Sequence, residues 1–150
     1  MSKSKIQMFT DGSCLNNPGP GGWAALLRFN GTEKTFTGGK NKTTNNQMEL
    51  MAVIGGLKAL TKPCMIELYT DSKYVLDGYT KWLEGWKKRG WKKSNKKPVL
   101  NKEYWIELDE LGSKHVIKWH WVKGHSGHIE NEIVDDLARY EAEKIQGNDL

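Results

Sequence analysis

The first forty residues alternate apolar and polar positions in a way that predicts an antiparallel β-meander. Residues 5–13 alternate as a strand does, with Ile6 and Met8 on one face. The Asn-, Pro- and Gly-rich segment 16–22 predicts a turn. Residues 23–29 and 34–39 are predicted as two further strands, joined through Asn30-Gly31, a dipeptide that favours hairpins.

The remainder of the chain mixes helical and strand patterns. Thr44, with Gln47 three residues later, has the pattern of a capping box, and Asn101 is predicted to cap a later helix. The predicted elements are helix 44–60, strand 65–70, helix 72–89 with an interruption near 78 or 80, helix 101–112, strand 115–122 and helix 128–145. The order βββαβααβα predicts an α/β fold with a mixed sheet and helices on both faces.

Length and composition predict one domain spanning residues 1–150. Of the 150 residues, 37% are hydrophobic, which is enough for one packed core. The longest apolar runs, such as 23–27, are far shorter than the roughly 20 residues that a membrane span requires. No leader pattern opens the chain, and Cys14 and Cys64 are too few for a disulfide framework. We therefore expect a cytoplasmic protein with two reduced thiols.

The charge is concentrated in one segment. Residues 81–97 hold eight basic residues against one acid, Glu84, whereas residues 126–150 are net acidic. Trp82, Trp86 and Trp91 interleave with the basic residues. This combination favours a polyanionic partner, although a solvated charged loop remains the alternative. Trp82 and Trp86, four residues apart, also have the spacing of helix core positions.

Four acids stand at informative positions. The segments Phe9–Gly12 and Tyr69–Ser72 each place an aspartate, Asp11 or Asp71, at the end of an apolar strand. On helical projections, Glu49 and Asp135 lie at the margins of apolar stripes. Taken singly, each acid could be a turn, cap or surface residue.

Together, these acids could meet at one end of the sheet. Carboxylates in contact repel one another, and a hard divalent cation such as Mg²⁺ relieves that repulsion. Two such ions can support a phosphoryl displacement. An acidic metal centre beside a basic, Trp-rich segment is typical of a nuclease.

Six segments closely resemble the bacterial type 1 ribonuclease H family. They are FTDGSC from Phe9, NPGPGG from Asn17, TTNNQMEL from Thr43, TDSKYV from Thr70, WKKRGWK from Trp86 and WVKGHSGHIENEIVDDLA from Trp121. The resemblance covers nearly the whole chain. It implies a ribonuclease H-like fold, with a five-stranded sheet in the order 3-2-1-4-5.

The resemblance also implies an activity and its catalytic residues. The activity is endonucleolytic hydrolysis of the RNA strand of RNA–DNA hybrids, leaving 5′-phosphate and 3′-hydroxyl ends. We expect a monomer that uses two Mg²⁺ ions, with Mn²⁺ as a substitute. The implied metal ligands and catalytic acids are Asp11, Glu49, Asp71 and Asp135. His125, in a Gly-rich segment, is implied to lie on a mobile loop and to assist proton transfer or product release.

The implied nucleic-acid contacts fall into three segments. The RNA strand is implied to contact Cys14, Asn16 and Asn17, with a further contact near Lys73. The DNA strand is implied to contact Lys42, Thr44, Asn45 and Asn46, and a basic arm, which we define as Trp82–Lys97. Within that arm the expected contacts are Trp82, Trp86, Lys87, Lys88, Arg89, Trp91, Lys92 and Lys93. Two residues depart from the family pattern: Lys73 replaces a common neutral amide, and Asn16 replaces a common glycine.

Two other functions stay open at this point. One is a DNA-cutting or strand-transferring enzyme on the same fold, against which the TTNNQMEL segment and the basic arm argue. The other is a catalytically silent hybrid-binding module, against which the four intact acids argue. The remaining tryptophans, Trp23, Trp105, Trp119 and Trp121, are predicted to be structural.

Overall fold

The computed structural model describes residues 4–123 and 128–148. Its strands are β1 (Ser4–Cys14), β2 (Gly19–Phe29), β3 (Thr32–Thr43), β4 (Cys64–Thr70) and β5 (Val116–Trp121). Its helices are α1 (Asn45–Lys58), α2 (Lys73–Asp77), α3 (Leu83–Lys88), α4 (Lys102–Gly112) and α5 (Ile129–Asn148), and a π-helical turn, Gly78–Trp82, joins α2 to α3. None of the described helices is long and apolar enough to cross a membrane.

The five strands form one mixed sheet in the order β3-β2-β1-β4-β5. β2 is antiparallel to both β1 and β3, which confirms the predicted meander. β4 pairs in parallel with β1 on one side and with β5 on the other. The parallel arrangement brings the carboxyl ends of β1, β4 and β5 to one end of the sheet.

Side-chain alternation along the strands builds a core on each face of the sheet. On one face, Met8 and Leu68 pack with the apolar residues of α1 and with Trp105 and Leu108 of α4. On the other face, Phe9 packs with Val134 and Ala138 of α5 and with two residues of β2. The predicted mixed sheet with helices on both faces is thus confirmed.

The predicted turn at residues 16–22 is wrong in its second half, because β2 already begins at Gly19. Close packing explains why glycines occupy a strand there. A Cβ at Gly21 would lie 2.3 Å from Cγ2 of Thr43, and one at Gly22 would lie 2.3 Å from the Ala138 carbonyl oxygen. The glycines that suggest a turn are therefore needed to let β3 and α5 approach β2.

The edge strand β3 is longer than its predicted span of 34–39, since it runs from Thr32 to Thr43. Most of its side chains are exposed, so the strand lacks the apolar alternation that marks a strand in sequence. Its length is set by pairing with β2 instead.

One prediction about the helices is confirmed and two need correction. The predicted helix 72–89 is interrupted near the predicted place, by the π-helical turn. Asn101 precedes α4, but its side chain does not cap that helix, and its backbone is left-handed, with φ of 60°. The capping box at α1 is half formed: the Thr44 hydroxyl accepts a 3.2 Å hydrogen bond from the Gln47 amide, while the Gln47 side chain turns elsewhere.

Candidate active site

The repeated Thr-Asp motif is brought together by the pairing of β1 with β4. From Ser4 to Phe9, each β1 residue lies beside the β4 residue 60 positions later, as Phe9 does beside Tyr69. The same offset carries Asp11 to Asp71, just beyond the last paired residues. Asp71 is not the cap of α2, because the Ser72 hydroxyl accepts the hydrogen bond from the Val75 amide. The alternative that Asp71 is a helix cap is therefore wrong.

Glu49 reaches the same point from α1, which packs very closely against the end of β1. A Cβ at Gly12 would lie 2.4 Å from the Glu49 backbone nitrogen and 2.4 Å from the Met48 carbonyl carbon. Only glycine fits this approach. Gly12 thus fixes how near Glu49 comes to Asp11.

One ligand oxygen from each of Asp11, Glu49 and Asp71 lies within 4.8 Å of the other two. In the part of the chain that the structure describes, this is the one group of three or more acidic, histidine or cysteine side chains with such spacing. Asp11 is only 3% exposed, and Glu49 and Asp71 are partly buried. The predicted convergence of these three acids is present in the structure.

The crowding of these carboxylates changes their acidity. Burial, the charge of Asp71 and the proximity of Asp135 raise the pKa of Asp11 to about 8. The Gly12 amide opposes this shift by donating a 2.9 Å hydrogen bond to Oδ1 of Asp11. Burial, followed by the charges of Asp11 and Asp71, raises the pKa of Glu49 well above its usual value. Three anions at this site therefore require a compensating positive charge.

The donor set fits a hard divalent cation. All three side chains offer carboxylate oxygens, the ligands that Mg²⁺ and similar ions prefer. Oε1 of Glu49 is buried and accepts no hydrogen bond from the described residues, so it has an oxygen to offer to an ion. A bound cation would reduce the repulsion among the acids. It would also coordinate this buried oxygen, which lacks a hydrogen-bond partner among the described residues.

Asp135 lies next to this cluster, on α5. It is close enough to Asp11 to raise the pKa of that residue, but its side chain is 39% exposed and contacts Arg139 at 3.4 Å. Asp136 is exposed and also contacts Arg139. Helix α5 therefore presents Asp135 at the open side of the site.

The segment predicted to follow the RNA strand lies near the start of α1. The Cys14 thiol is half-buried and donates to the carbonyl oxygens of Thr43, at 3.3 Å, and Gly19, at 3.5 Å. Asn16 is exposed and left-handed, with φ of 62°. Oδ1 of Asn17 accepts a 3.0 Å hydrogen bond from the backbone amide of Asn45. This last bond joins the segment to the first turn of α1.

The segment predicted to meet the DNA strand is the start of α1 and the end of β3. Lys42, Asn45 and Asn46 have exposed side chains, and Thr44 caps the helix. This surface combines a lysine with two exposed asparagine side chains at a helix N-terminus, where the backbone carries partial positive charge.

The basic arm comprises the end of the π-helical turn, α3 and the loop that follows. Lys88, Arg89, Lys92 and Lys93 are exposed. Lys87 differs, because its ammonium group lies 3.3 Å from Asp109 and 3.7 Å from Glu84. That neutralising contact makes Lys87 a weaker candidate for a phosphate contact than its neighbours.

The tryptophans of the arm have different environments. Trp82 is 45% exposed, whereas Trp86 is partly buried and packs edge-on against Trp105 at 5.2 Å between ring centroids. Trp91 is partly buried, with φ of 65°, and its amide donates to the Trp86 carbonyl at 2.6 Å. The structure therefore uses Trp86 and Trp91 to anchor the arm and presents Trp82 to solvent.

Two tryptophans on β5 also have contrasting environments. Trp119 packs against Tyr79, as a structural residue does. Trp121 is 47% exposed, and the Lys73 ammonium group lies 4.2 Å from the centre of its ring. The sequence gives no signal of this cation–π pair, because the two residues are 48 positions apart. His125, the predicted proton-transfer residue, lies outside the described residues.

We expect Gly12→Ala to damage both folding and the site, because the new methyl group would overlap the backbone of α1. Overpacking of this kind costs about 1–3 kcal/mol in the free energy of unfolding. Displacing Glu49 by about 1 Å would lower turnover by roughly 10²-fold. Thermal unfolding and hybrid-cleavage rates measure the two effects. Gly147→Ala is the matched control, since a Cβ there meets nothing within 4 Å.

Comparison with known proteins agrees with the fold and assigns the chain to a family. The RNase H family model matches residues 3–143. Ribonuclease H of Mesorhizobium japonicum is 60% identical over 93% of this chain and 78% of its own length. Ribonuclease H of Aliivibrio salmonicida is 55% identical over 97% of this chain and 92% of its own.

The same agreement is found among solved structures. LC9-RNase H1, described as a type 1 RNase H with the type 2 active-site motif, superposes with a TM-score of 0.87 at 31% identity. The match covers 96% of this chain and 74% of that one. The fold and these relatives define an enzyme of the nuclease class. The chain belongs to the RNase H family, as the resemblance of its motifs indicates.

Proposed function

We propose that this protein is an endonuclease that hydrolyses the RNA strand of RNA–DNA hybrids and leaves 5′-phosphate and 3′-hydroxyl ends. The observation that carries the proposal is the Asp11–Glu49–Asp71 cluster at the sheet end from which α1 begins. A structural neighbour, LC11-RNase H1, is described in complex with an RNA/DNA hybrid, and it shares this fold at 21% identity.

Asp11, Glu49 and Asp71, with Asp135 at the open side, are proposed to hold two Mg²⁺ ions, for which Mn²⁺ can substitute. When bound, such ions supply Lewis-acid stabilisation of phosphate oxygens and lower the pKa of a bound water. The chain's own contribution is to fix the ligands. The Gly12 amide orients Asp11, and the near-complete burial of Asp11 excludes water from its side of the cluster.

Strand discrimination is assigned to the surfaces on either side of the start of α1. We infer that Cys14, Asn16 and Asn17 follow the RNA strand, where a 2′-hydroxyl distinguishes RNA from DNA. Lys73, held over Trp121, is inferred to add a positive charge near that strand. Lys42, Thr44, Asn45 and Asn46 would take a DNA phosphate at the helix N-terminus. His125 is proposed to transfer a proton or to help product leave.

The basic arm is proposed to hold the DNA strand beyond the cut. The proposed contacts are Trp82, Lys88, Arg89, Lys92 and Lys93, with Trp86 and Trp91 as anchors and Lys87 as a minor contributor. Lysine and arginine contacts to phosphates supply affinity without reading sequence.

A four-substrate assay tests the proposed function. Labelled hybrid, duplex DNA, duplex RNA and single-stranded RNA are each incubated with Mg²⁺ and, separately, with chelator. We expect cleavage of the RNA strand of the hybrid alone, and only with Mg²⁺. Cleavage of duplex DNA would favour a DNA-processing relative instead, and binding of hybrid without cleavage would favour a silent binding module.

We expect a triple variant, Lys88→Ala, Lys92→Ala and Lys93→Ala, to weaken hybrid binding and to raise KM. Among the described residues, none of these three side chains makes an ion pair, so their charges are available to phosphates. If each contacts one phosphate, the plot of log affinity against log salt flattens by about 2–3 units. Maximal turnover changes little, because loss of uniform binding appears in KM.

The control for this triple variant removes the same charge elsewhere. Lys34, Lys62 and Lys114 lie outside the arm and the acidic site, and all three are exposed. Their replacement by Ala is expected to leave the salt slope unchanged apart from a small long-range effect. Equal slopes for wild type and the arm variant, measured with Ca²⁺ in place of Mg²⁺, would show that the arm is only a solvated surface.

A further inference from the structure

Side-chain hydrogen bonds connect Asn101, which follows the basic arm in the chain, to α1, which carries Glu49, and to α2, which follows Asp71. The Thr43 hydroxyl donates to Oε1 of Gln47 at 2.8 Å, and Nε2 of Gln47 donates to Oδ1 of Asn101 at 3.1 Å. Nδ2 of Asn101 then donates to the Tyr74 hydroxyl at 3.0 Å. The Trp105 indole N–H donates to the same hydroxyl at 3.2 Å.

The residues joined by these hydrogen bonds lie close in sequence to the clustered acids and to the basic arm. Gln47 lies in the first turn of α1, two residues before Glu49. Tyr74 lies in α2, three residues after Asp71. Asn101 ends the loop that returns from the basic arm, immediately before α4. The Asn101 side-chain amide therefore bridges the segment that leaves the arm to α1 and α2.

The backbone conformation and the hydrogen bonds of Asn101 fix the position of its side chain. Its left-handed backbone, with φ of 60°, is a conformation that asparagine adopts more readily than most residues do. Its amide uses the acceptor toward Gln47 and a donor toward Tyr74, and it does not cap α4. The Tyr74 ring is itself fixed, because it packs against the fully buried Trp105 at 5.5 Å between centroids.

We propose that Tyr74 and Gln47 are positioning residues that, through Asn101, hold the basic arm at a set distance from the acidic cluster and so select which phosphate enters that cluster. This inference rests on the proposed function. Neither Tyr74 nor Gln47 needs to touch the substrate. Both would act by restricting how the DNA strand, held by the arm, is aligned with the RNA strand at the acids.

Tyr74→Phe is the direct test, because it removes the hydroxyl and retains the packing of the ring on Trp105. We expect KM for a hybrid to rise about two- to ten-fold, as loss of a typical hydrogen bond implies, with kcat changed less than about two-fold. On an end-labelled hybrid, cuts are expected to spread over neighbouring phosphates. Amide hydrogen exchange in residues 91–99, measured without substrate, is expected to accelerate.

Two further variants sharpen the test. Gln47→Met removes the contact to Asn101 and keeps a similar side-chain volume, and it should give the same changes as Tyr74→Phe. Both residues act through Asn101. The rise in KM of the double variant should therefore be similar to that of either single variant and smaller than the product of the two single rises. Tyr104→Phe is the control: its hydroxyl accepts from Lys40 at 3.1 Å, outside this set of hydrogen bonds, and its KM and cutting pattern should match wild type.

The possible outcomes separate this inference from the proposed function. Wild-type KM and cutting pattern in Tyr74→Phe and Gln47→Met would overturn the positioning role, even if their melting temperatures fell. If wild-type protein did not cut hybrid at all, the proposed function would fail. In that case, faster exchange in residues 91–99 of Tyr74→Phe would still support the structural part of the inference, and unchanged exchange would overturn it.

Discussion

Asp11→Asn is expected to cleave hybrid at least about 10³-fold more slowly than wild type while folding normally. The side chain keeps its size but loses the negative charge that a metal ion requires, and metal stabilisation of a phosphoryl displacement is worth several kcal/mol. The free energy of unfolding without metal should rise at neutral pH, because the amide avoids the cost of burying a carboxyl group beside Asp71 and Asp135, a cost that appears as its raised pKa. Single-turnover cleavage and thermal unfolding test the two parts separately.

Glu110→Gln is the matched control for Asp11→Asn. Glu110 is exposed on α4, and its loss of charge should leave both turnover and stability near wild-type values. A variant of Asp11 that kept near-native turnover in Mg²⁺ would mean that the catalytic metal lies elsewhere. A large fall in melting temperature would mean instead that the carboxylate stabilises the fold, contrary to its raised pKa.

Without metal, the protein is expected to lose stability as pH rises from about 4 to about 8. The pKa of Asp11 is about 8 in the folded protein and about 3.9 in an unfolded chain, so the folded state binds the proton more tightly. A raised pKa contributes stability that is fully present below the unfolded value and is lost as pH passes through the folded value. Glu49, whose pKa is also raised, acts in the same direction.

Divalent metal should reverse this loss, because it neutralises the ionised carboxylates. We expect Mg²⁺ to raise the melting temperature at about pH 8 by several degrees and to have little effect at about pH 5. Thermal unfolding with Mg²⁺ and with chelator, across this range, measures both trends. Asp11→Asn should reduce the pH dependence and the response to Mg²⁺. An equal response to Mg²⁺ at both pH values would contradict the assignment of these carboxylates as its ligands.

The three clustered acids could be predicted from sequence because each is marked by a local pattern. Asp11 and Asp71 follow apolar strands that carry the same Thr-Asp motif, and the parallel pairing of those strands preserves that repetition in space. Glu49 lies on a helix whose start is marked by the cap at Thr44. Such signals depend on residues within one element, and local chemistry then agrees with the global fold.

The hydrogen bonds around Asn101 could not be predicted in this way. Its partners Gln47 and Tyr74 are 54 and 27 residues away, so no local pattern records the contact. An asparagine before a helix is a common N-cap, and this local preference gave the wrong prediction for its side chain. The same limit applies to Trp121, whose exposure depends on the end of a sheet and not on its neighbours in sequence.

The predicted start of β2 was wrong for a different reason. Glycines such as Gly21 and Gly22 are typical of turns, yet here these two give space to β3 and α5. Sequence alone does not distinguish a glycine that permits a turn from one that permits close packing. The distinction appears only when the facing elements β3 and α5 are in place.

The central claim is that Asp11, Glu49 and Asp71 together hold the metal on which cleavage of RNA depends. The most direct measurement is the single-turnover rate on a hybrid as a function of Mg²⁺ concentration, for wild type and for Glu49→Gln. We expect wild-type cleavage to saturate with Mg²⁺ and to vanish in chelator. Glu49→Gln should need at least about ten-fold more Mg²⁺, as loss of a charged ligand implies, and should reach a lower maximal rate. Cleavage that persists in chelator, or superimposable curves for the two proteins, would contradict the account.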